Sequence, residues 1–226
     1  MVKLERKKND KWDSLYDPKE RSFFSKFEEF LINNYFSKIF TRVILNVAKM
    51  KQGEIFEPGS GGGMASATLA KKGFNLTCMD LSQNAIKKNQ ELFQECTLSG
   101  KFLIGDIFNI PISNEKFDIV FNQGVMEHFR LEGMNPSSAV KEMYRLVKKN
   151  GTLIIFVPAY YSPLFFVYAI LKKLNLIEKY WPYADQDFLH KNELMEMMKE
   201  IGSDEIKIKR VWSSLFFSLI GYCKKV

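Results

Sequence analysis

The sequence predicts an α/β protein built on a doubly wound, mostly parallel sheet. Three observations predict it. From Ile55 onward, short apolar runs alternate with runs of helical periodicity. The run GTLIIFVP, 151–158, is apolar throughout, as a strand covered by helices on both faces should be. The stretch GEIFEPGSGGGMASATLAKKG, Gly53 to Gly73, joins a strand-like run to a helix-like run through a glycine-rich turn. Open sheets of this kind bind ligands at such turns, at the carboxyl ends of their strands.

The elements follow in order. EIFEP is a short strand, and Met64–Lys72 reads as a helix. FNLTCMD is a second strand, followed by the helix SQNAIKKNQELFQEC with Ser82 as its N-cap. KFLIGD and KFDIVFNQ are the third and fourth strands; a helix spans Pro136–Lys149, and GTLIIFVP is the fifth strand. Two additions flank this core. Residues 18–50 carry apolar positions at helical spacing and read as two helices, so residues 1–52 form an N-terminal helical extension to a main domain over 53–226. Residues 158–189 interrupt the alternation with an apolar helix, LFFVYAILKKL, and an aromatic loop, KYWPYADQDF. An insertion of this length at the carboxyl end of a sheet reads as a lid over a substrate. A helix near His190–Ile201 and two strand-like runs, EIKIKRVW and SLFFSLIGYCKK, close the chain.

Composition narrows the classes. Of 226 residues, 46% are hydrophobic and 14% aromatic, enough for a packed core rather than a disordered chain. The net charge of +7 suits an acidic partner, an anionic membrane surface or an ordinary soluble protein. Cys78, Cys96 and Cys223 are scattered, with no CxxC pair, which argues against zinc and against a disulfide framework. Neither AYYSPLFFVYAIL nor SSLFFSLIGY reaches the length of a membrane-spanning helix, and no signal peptide is visible, so a cytoplasmic location is expected.

The glycine turn and its acids carry the chemistry. Gly59, Gly61 and Gly63 let backbone approach a ligand without a Cβ in the way. No frame completes the G-x-G-x-x-G of a dinucleotide site, and no lysine follows in phosphate-loop register. Acids stand at three successive strand ends: Glu57, Asp80 and Asp106. Carboxylates repel a pyrophosphate and attract an ammonium or a sulfonium, so the set suits a cationic nucleoside, with Asp80 placed to take a ribose diol.

EIFEPGSGGG, CMDLS, GDIFNIP, FDIVFNQGVMEHF and LVKKNGTLIIFVP, in this order, resemble the motifs of the class I S-adenosylmethionine-dependent methyltransferases of the small-molecule type, over about residues 53–157. The resemblance implies a seven-stranded, Rossmann-like sheet with an antiparallel last strand. It implies S-adenosyl-L-methionine as cofactor and S-adenosyl-L-homocysteine as product. By matching position it places Glu57, Gly59 and Gly61 around the methionine part, Asp80 with Leu81 at the ribose, Asp106 with Ile107 at the adenine, and Asn122 and Gln123 beside the methionine moiety. Pro58 departs from the pattern, standing where the family often has an apolar β-branched residue, and removes a backbone donor.

Methyl transfer from a sulfonium needs alignment and exclusion of water, and a base only where the acceptor arrives protonated. His128 in GVMEHF is the candidate base, while Glu127 and His190 read as structural. Tyr160, Tyr161, Trp181 and Tyr183 in the lid are candidates to enclose the acceptor, with Trp12 and Tyr16 of KWDSLYD closing the other side; by the resemblance, such an N-terminal stretch often covers the cofactor. After the fourth strand the chain reads Asn122-Gln123-Gly124-Val125, not the [DN]-P-P-[YFW] typical of base amino-methylation, and no acids cluster there for a metal. The expected acceptor is therefore a small apolar or amphipathic molecule, not DNA. The apolar helix with Lys172 and Lys173 would equally suit a peripheral membrane contact or a dimer. The rival functions are an RNA or protein methyltransferase, a non-catalytic S-adenosylmethionine-binding module and a nicotinamide-dependent oxidoreductase.

Overall fold

The computed structural model describes residues 12–14, 16, 35–181, 187–203, 205–211, 214 and 218–226. The first of the two expected N-terminal helices lies outside the described residues; the second is α1, Ser37–Ala48. The core then runs β1 Glu54–Pro58, α2 Met64–Ala70, β2 Asn75–Asp80, α3 Gln83–Glu95, β3 Gly100–Ile104, β4 Phe117–Gln123, α4 Met126–Leu131, α5 Pro136–Leu146 and β5 Val147–Pro158. The insertion holds α6 Pro163–Lys173 and α7 Ile177–Tyr180, and α8 Lys191–Lys199, β6 Lys207–Arg210 and β7 Ser218–Lys224 complete the chain.

The seven strands lie in the order β3-β2-β1-β4-β5-β7-β6, with β7 antiparallel to both its neighbours and the other pairs parallel. This is the expected doubly wound sheet with helices on both faces. Alternation along each strand divides the core in two. Ile55, Leu76, Cys78, Ile119, Phe121, Ile154 and Phe156 face α1, α2 and α3. Phe56, Met79, Val120, Leu153, Ile155 and Val157 face α4, α5 and α8. Strand order reverses between β1 and β4, which opens a crevice above their carboxyl ends. Ser82 caps α3 as expected, its hydroxyl accepting from the Ala85 N–H at 3.0 Å. Cys78 and Cys223 are buried in β2 and β7.

The structure corrects two boundaries. The helix expected to reach Lys149 ends at Leu146, because Val147 is fully buried and pairs with Phe117 of β4. The penultimate strand is confined to Lys207–Arg210 within the longer run. Among the described residues, no helix is long and apolar enough to cross a membrane.

One polar network fixes the loop between β3 and β4, which carries Asp106. Arg145 of α5 donates to the carbonyls of Ile110 (3.1 Å) and Ile112 (2.7 Å) and to Asn114 Oδ1 (2.7 Å). It also forms a bidentate pair with Glu142, whose Oε1 accepts the Ile110 N–H at 3.0 Å. The guanidinium holds the Glu142 carboxyl below its ordinary range. Arg145→Met leaves those carbonyls and a carboxylate without their donor. It is expected to cost about 2 kcal/mol, a fall in melting temperature of about 4–8 °C by calorimetry. An unchanged melting temperature contradicts this role.

Candidate functional site

The site grows from the turn between β1 and α2. Gly59, Gly61 and Gly63 all have positive φ, at 71°, 52° and 72°. Each is also tightly faced. An added Cβ would stand 2.5 Å from Val125 Cγ2 at Gly59, 2.5 Å from the Tyr16 hydroxyl at Gly61 and within contact of Asn89 Oδ1 at Gly63. Left-handed backbone and lack of space therefore require glycine at all three positions. The contact of Gly59 with Val125 also shows that the turn after β1 abuts the one after β4, across the crevice.

The donors of this turn face inward. The N–H groups of Gly59 and Ser60 both donate to the Met79 carbonyl, at 2.7 and 3.0 Å, and that of Gly63 donates to Ser60 at 2.9 Å. The Gly61 N–H donates to Asp80 Oδ2 at 2.8 Å. Pro58, without an N–H, pairs in register with Met79 at the end of β1, and the next two residues supply the donors that hold the turn to β2. A phosphate-binding turn needs such N–H groups pointing at the ligand. Here four of them are engaged within the protein.

The acids sit on one face. Glu57 is in register with Cys78, and Asp80 lies two residues beyond it, so both emerge on the α2 side at the tips of β1 and β2. Glu57 is buried and accepts from the Ser66 hydroxyl at 2.5 Å. Burial pushes its carboxyl up to about 8, opposed by the Ser66 hydrogen bond and reinforced by the charge of Asp80. Asp80 is half-buried and is also raised by burial, against the N–H groups of Ser82, Gly61 and Leu81 that favour its ionised form. Oδ1 accepts from Ser82 N at 2.9 Å while Oδ2 holds Gly61, which leaves each oxygen capacity for another donor. Leu81 continues the backbone at this tip, half-buried.

The remaining expected residues fall in different surroundings. Asp106 is exposed two residues beyond β3, with Oδ1 accepting the Phe108 N–H at 3.0 Å, and Ile107 is buried in the core beside it. Asn122 and Gln123 end β4. Asn122 is fully buried, and neither of its amide atoms has a hydrogen-bond partner among the described residues. Such a group costs stability unless something bonds it. His128 is buried in α4, its ring 4.9 Å from that of Trp12 in an edge arrangement. Glu127 is fully buried, with Oε1 facing Gly124.

The lid residues pack mostly on one another. Tyr160 lies against Tyr161, Phe165 and His190, with ring centroids 4.6, 4.2 and 4.1 Å away, and Tyr161 is exposed. Trp181 is buried in a satellite cluster with Tyr168 and Phe188. Tyr183 lies outside the described residues. His190 caps α8 as expected of a structural residue, its N–H donating to Glu193 Oε2 at 2.7 Å. Tyr16 lies against the glycine turn at Gly61.

Three positions escaped sequence reading. Asn89 of α3 donates through Nδ2 to the Gly61 and Ala85 carbonyls, pinning the turn from α3. Ser66 is the donor to Glu57. Asp13 accepts from the Ser82 hydroxyl and the Asn84 N–H, at 2.5 and 3.2 Å, so the Trp12–Tyr16 stretch touches α3, α4 and the glycine turn. Among the described residues no group of three or more His, Cys, Asp or Glu is arranged to hold a metal ion.

Comparison with known proteins gives the same outline. Residues 56–155 match the family described as "Methyltransferase domain". A ubiquinone biosynthesis O-methyltransferase of Rickettsia canadensis is 30% identical over 102 residues, 45% of this chain and 41% of that protein. A demethylmenaquinone methyltransferase of a Geobacillus species is 28% identical over 148 residues, 58% of this chain and 61% of its own. This chain thus spans about half the length of the curated relatives it matches. Among solved structures, the magnesium protoporphyrin IX methyltransferase of Synechocystis with bound S-adenosylhomocysteine superposes with a TM-score of 0.69 at 17% identity, covering 100% of this chain and 99% of that one. A protein of Pyrococcus horikoshii superposes with a TM-score of 0.66 at 19% identity, covering 91% and 100%. These likenesses share the fold.

The Glu57 carboxyl generates a prediction. Its folded value, about 8, lies above its ordinary 4.5. Between those values the folded chain keeps a proton that the unfolded chain has lost, so this contribution is full below about 4.5 and disappears as pH rises through 8. Stability of the ligand-free wild type relative to Glu57→Gln is expected to fall from pH 5 to 8, with a slope approaching about 1.4 kcal/mol per pH unit. Denaturant melts across that range check this; parallel curves for the two proteins contradict it.

Proposed function

We infer that this chain, whose residues 56–155 match a methyltransferase domain, is a class I S-adenosylmethionine-dependent enzyme that methylates a small apolar or amphipathic molecule. The observation that carries the cofactor reading is the state of the glycine turn. Its N–H groups at Gly59, Ser60, Gly61 and Gly63 are engaged within the protein, and two carboxylates stand beside it. That arrangement disfavours a pyrophosphate and favours a cationic nucleoside. The fit extends to the opposite face of the crevice, where the buried amide of Asn122 needs a partner that no described residue provides.

S-adenosyl-L-methionine supplies a methyl group already activated on a sulfonium, so the chain's own task is binding, alignment and exclusion of water. Glu57 and Gly59 face the methionine end, and the lowering of the Glu57 carboxyl by a cationic ammonium releases its proton at neutral pH. Asp80 takes the ribose hydroxyls with its remaining acceptor capacity while its other bonds keep Gly61 and Ser82 in place. The loop at Asp106–Ile107, held by Arg145, borders the adenine. Asn122 and Gln123 line the crevice at the methionine moiety. Asp13 and Tyr16 close the cofactor from the N-terminal side.

His128 stands at the far side of the same crevice, held by the edge of Trp12, and an imidazole nitrogen takes the acceptor's proton where one must leave. The lid, with Tyr160 and Tyr161 beside it, forms the acceptor side. The matched relatives named for ubiquinone and menaquinone substrates support an acceptor with an aromatic head and an apolar tail. The chain covers about half of those proteins, so the acceptor class rests on the lid's own apolar character as well.

Two expectations follow. Asp80→Ala and Gly61→Val each abolish S-adenosylmethionine binding in calorimetric titration, because one removes the turn's anchor and the other forces a side chain into Tyr16; wild-type affinity in both defeats the site. His128→Ala lowers transfer of a tritiated methyl group to apolar cell extracts by about 10²-fold or more, with cofactor affinity unchanged. Full turnover at every pH removes His128 from the reaction.

A further inference from the structure

We propose that the outer face of α6 docks on the surface of an anionic lipid bilayer. From Pro163 to Leu171 the helix is apolar all round, a pattern that ordinarily marks a helix buried on every side. Here only one side is covered. Leu164, Phe165, Tyr168 and Leu171 pack into the satellite cluster with Trp181 and Phe188. Phe166, Val167, Ile170 and Leu174, spaced i, i+1, i+4, i+8 on the opposite side, are each more than half exposed, at 53%, 51%, 60% and 58%. Tyr161, 65% exposed, extends the patch past the helix N-terminus. A contiguous apolar surface of this kind marks an interaction site.

Charge selects the occupant. From Ala159 to Ile177 the chain contains no Asp or Glu and two lysines, Lys172 and Lys173, both exposed in the last turn of α6. By helical spacing Lys173 lies on the same side as Phe166 and Ile170, and Lys172 reaches across the ring of Tyr168 at 5.8 Å. An apolar stripe bordered by basic and no acidic groups is complementary to acyl chains beneath anionic headgroups. A second copy of this face would instead bring the like-charged lysines into a shared apolar contact. The helix follows β5 at the carboxyl end of the sheet, the end that carries the glycine turn. Docking would bring the lid side of the crevice to the bilayer, where apolar molecules reside. The surface itself does not depend on methyl transfer, so its failure would leave that reading standing.

The test is co-sedimentation of the full chain with vesicles of phosphatidylglycerol and phosphatidylcholine, against vesicles of phosphatidylcholine alone. Binding is expected on the anionic vesicles and is expected to weaken with salt. Ile170→Glu should reduce it by about tenfold, and Lys172→Gln with Lys173→Gln by about 25-fold, at about fivefold per lysine. Both variants change exposed side chains, and equal melting temperatures confirm that they fold. No vesicle binding by the wild type overturns the proposal. So does binding that both variants retain in full. A concentration-dependent dimer that Ile170→Glu abolishes, without vesicle binding, assigns the face to a second copy and overturns it as well.

Discussion

The carboxylate of Asp80 at the tip of β2 holds the glycine turn at the tip of β1 through the Gly61 N–H, and holds the start of α3 through the Ser82 N–H. Much of the candidate site depends on that one group. The turn can adopt its shape only because Gly59, Gly61 and Gly63 occupy left-handed backbone with no room for a Cβ. Asn89 pins the same turn from α3, and Ser66 braces Glu57 from α2. Two strands and two helices thus converge on a loop whose donors point into the protein. A ligand above it meets the Asp80 carboxyl rather than an array of N–H groups.

The electrostatic consequence follows from burial. Two carboxyl groups lie close together on one face, and each is raised by desolvation and by a neighbouring acid. In the ligand-free protein, burial, with the charge of Asp80 adding to it, keeps Glu57 protonated near neutral pH. A cation entering the crevice reverses the preference and draws the ionised form. The site is therefore built to respond to positive charge, and its own stability is lower for having it.

The sheet was legible in the sequence because short apolar runs recur from Ile55 to Pro158, most of them followed by a run of helical periodicity, and because glycines mark the first turn. Glu57, Gly59, Gly61 and Asp80 could be named because strand ends and turn chemistry are local. Asn89 and Asp13 could not, since their bonds cross the fold, over 28 residues for Asn89–Gly61 and 69 for Asp13–Ser82, and neither could Ser66, whose bond to Glu57 joins α2 to β1. The end of α5 was misread because Val147 leaves the helix to pair with Phe117, a tertiary preference that helical periodicity does not register. The place of Tyr16 against Gly61 is likewise set by packing and not by its neighbours in sequence.

The insertion that holds α6 and α7 is a second, smaller packing unit laid beside the first. Its aromatic residues are consumed largely by their own cluster, which leaves one helix face and the Tyr161 ring outward. The central claim, that the glycine turn receives a cationic sulfur nucleoside and not a diphosphate, is tested most directly by competition. In calorimetric titration of the full chain with S-adenosylmethionine, the account predicts one saturable site whose binding is unaffected by millimolar NAD. Displacement of S-adenosylmethionine by NAD, or binding of NAD alone, would contradict it.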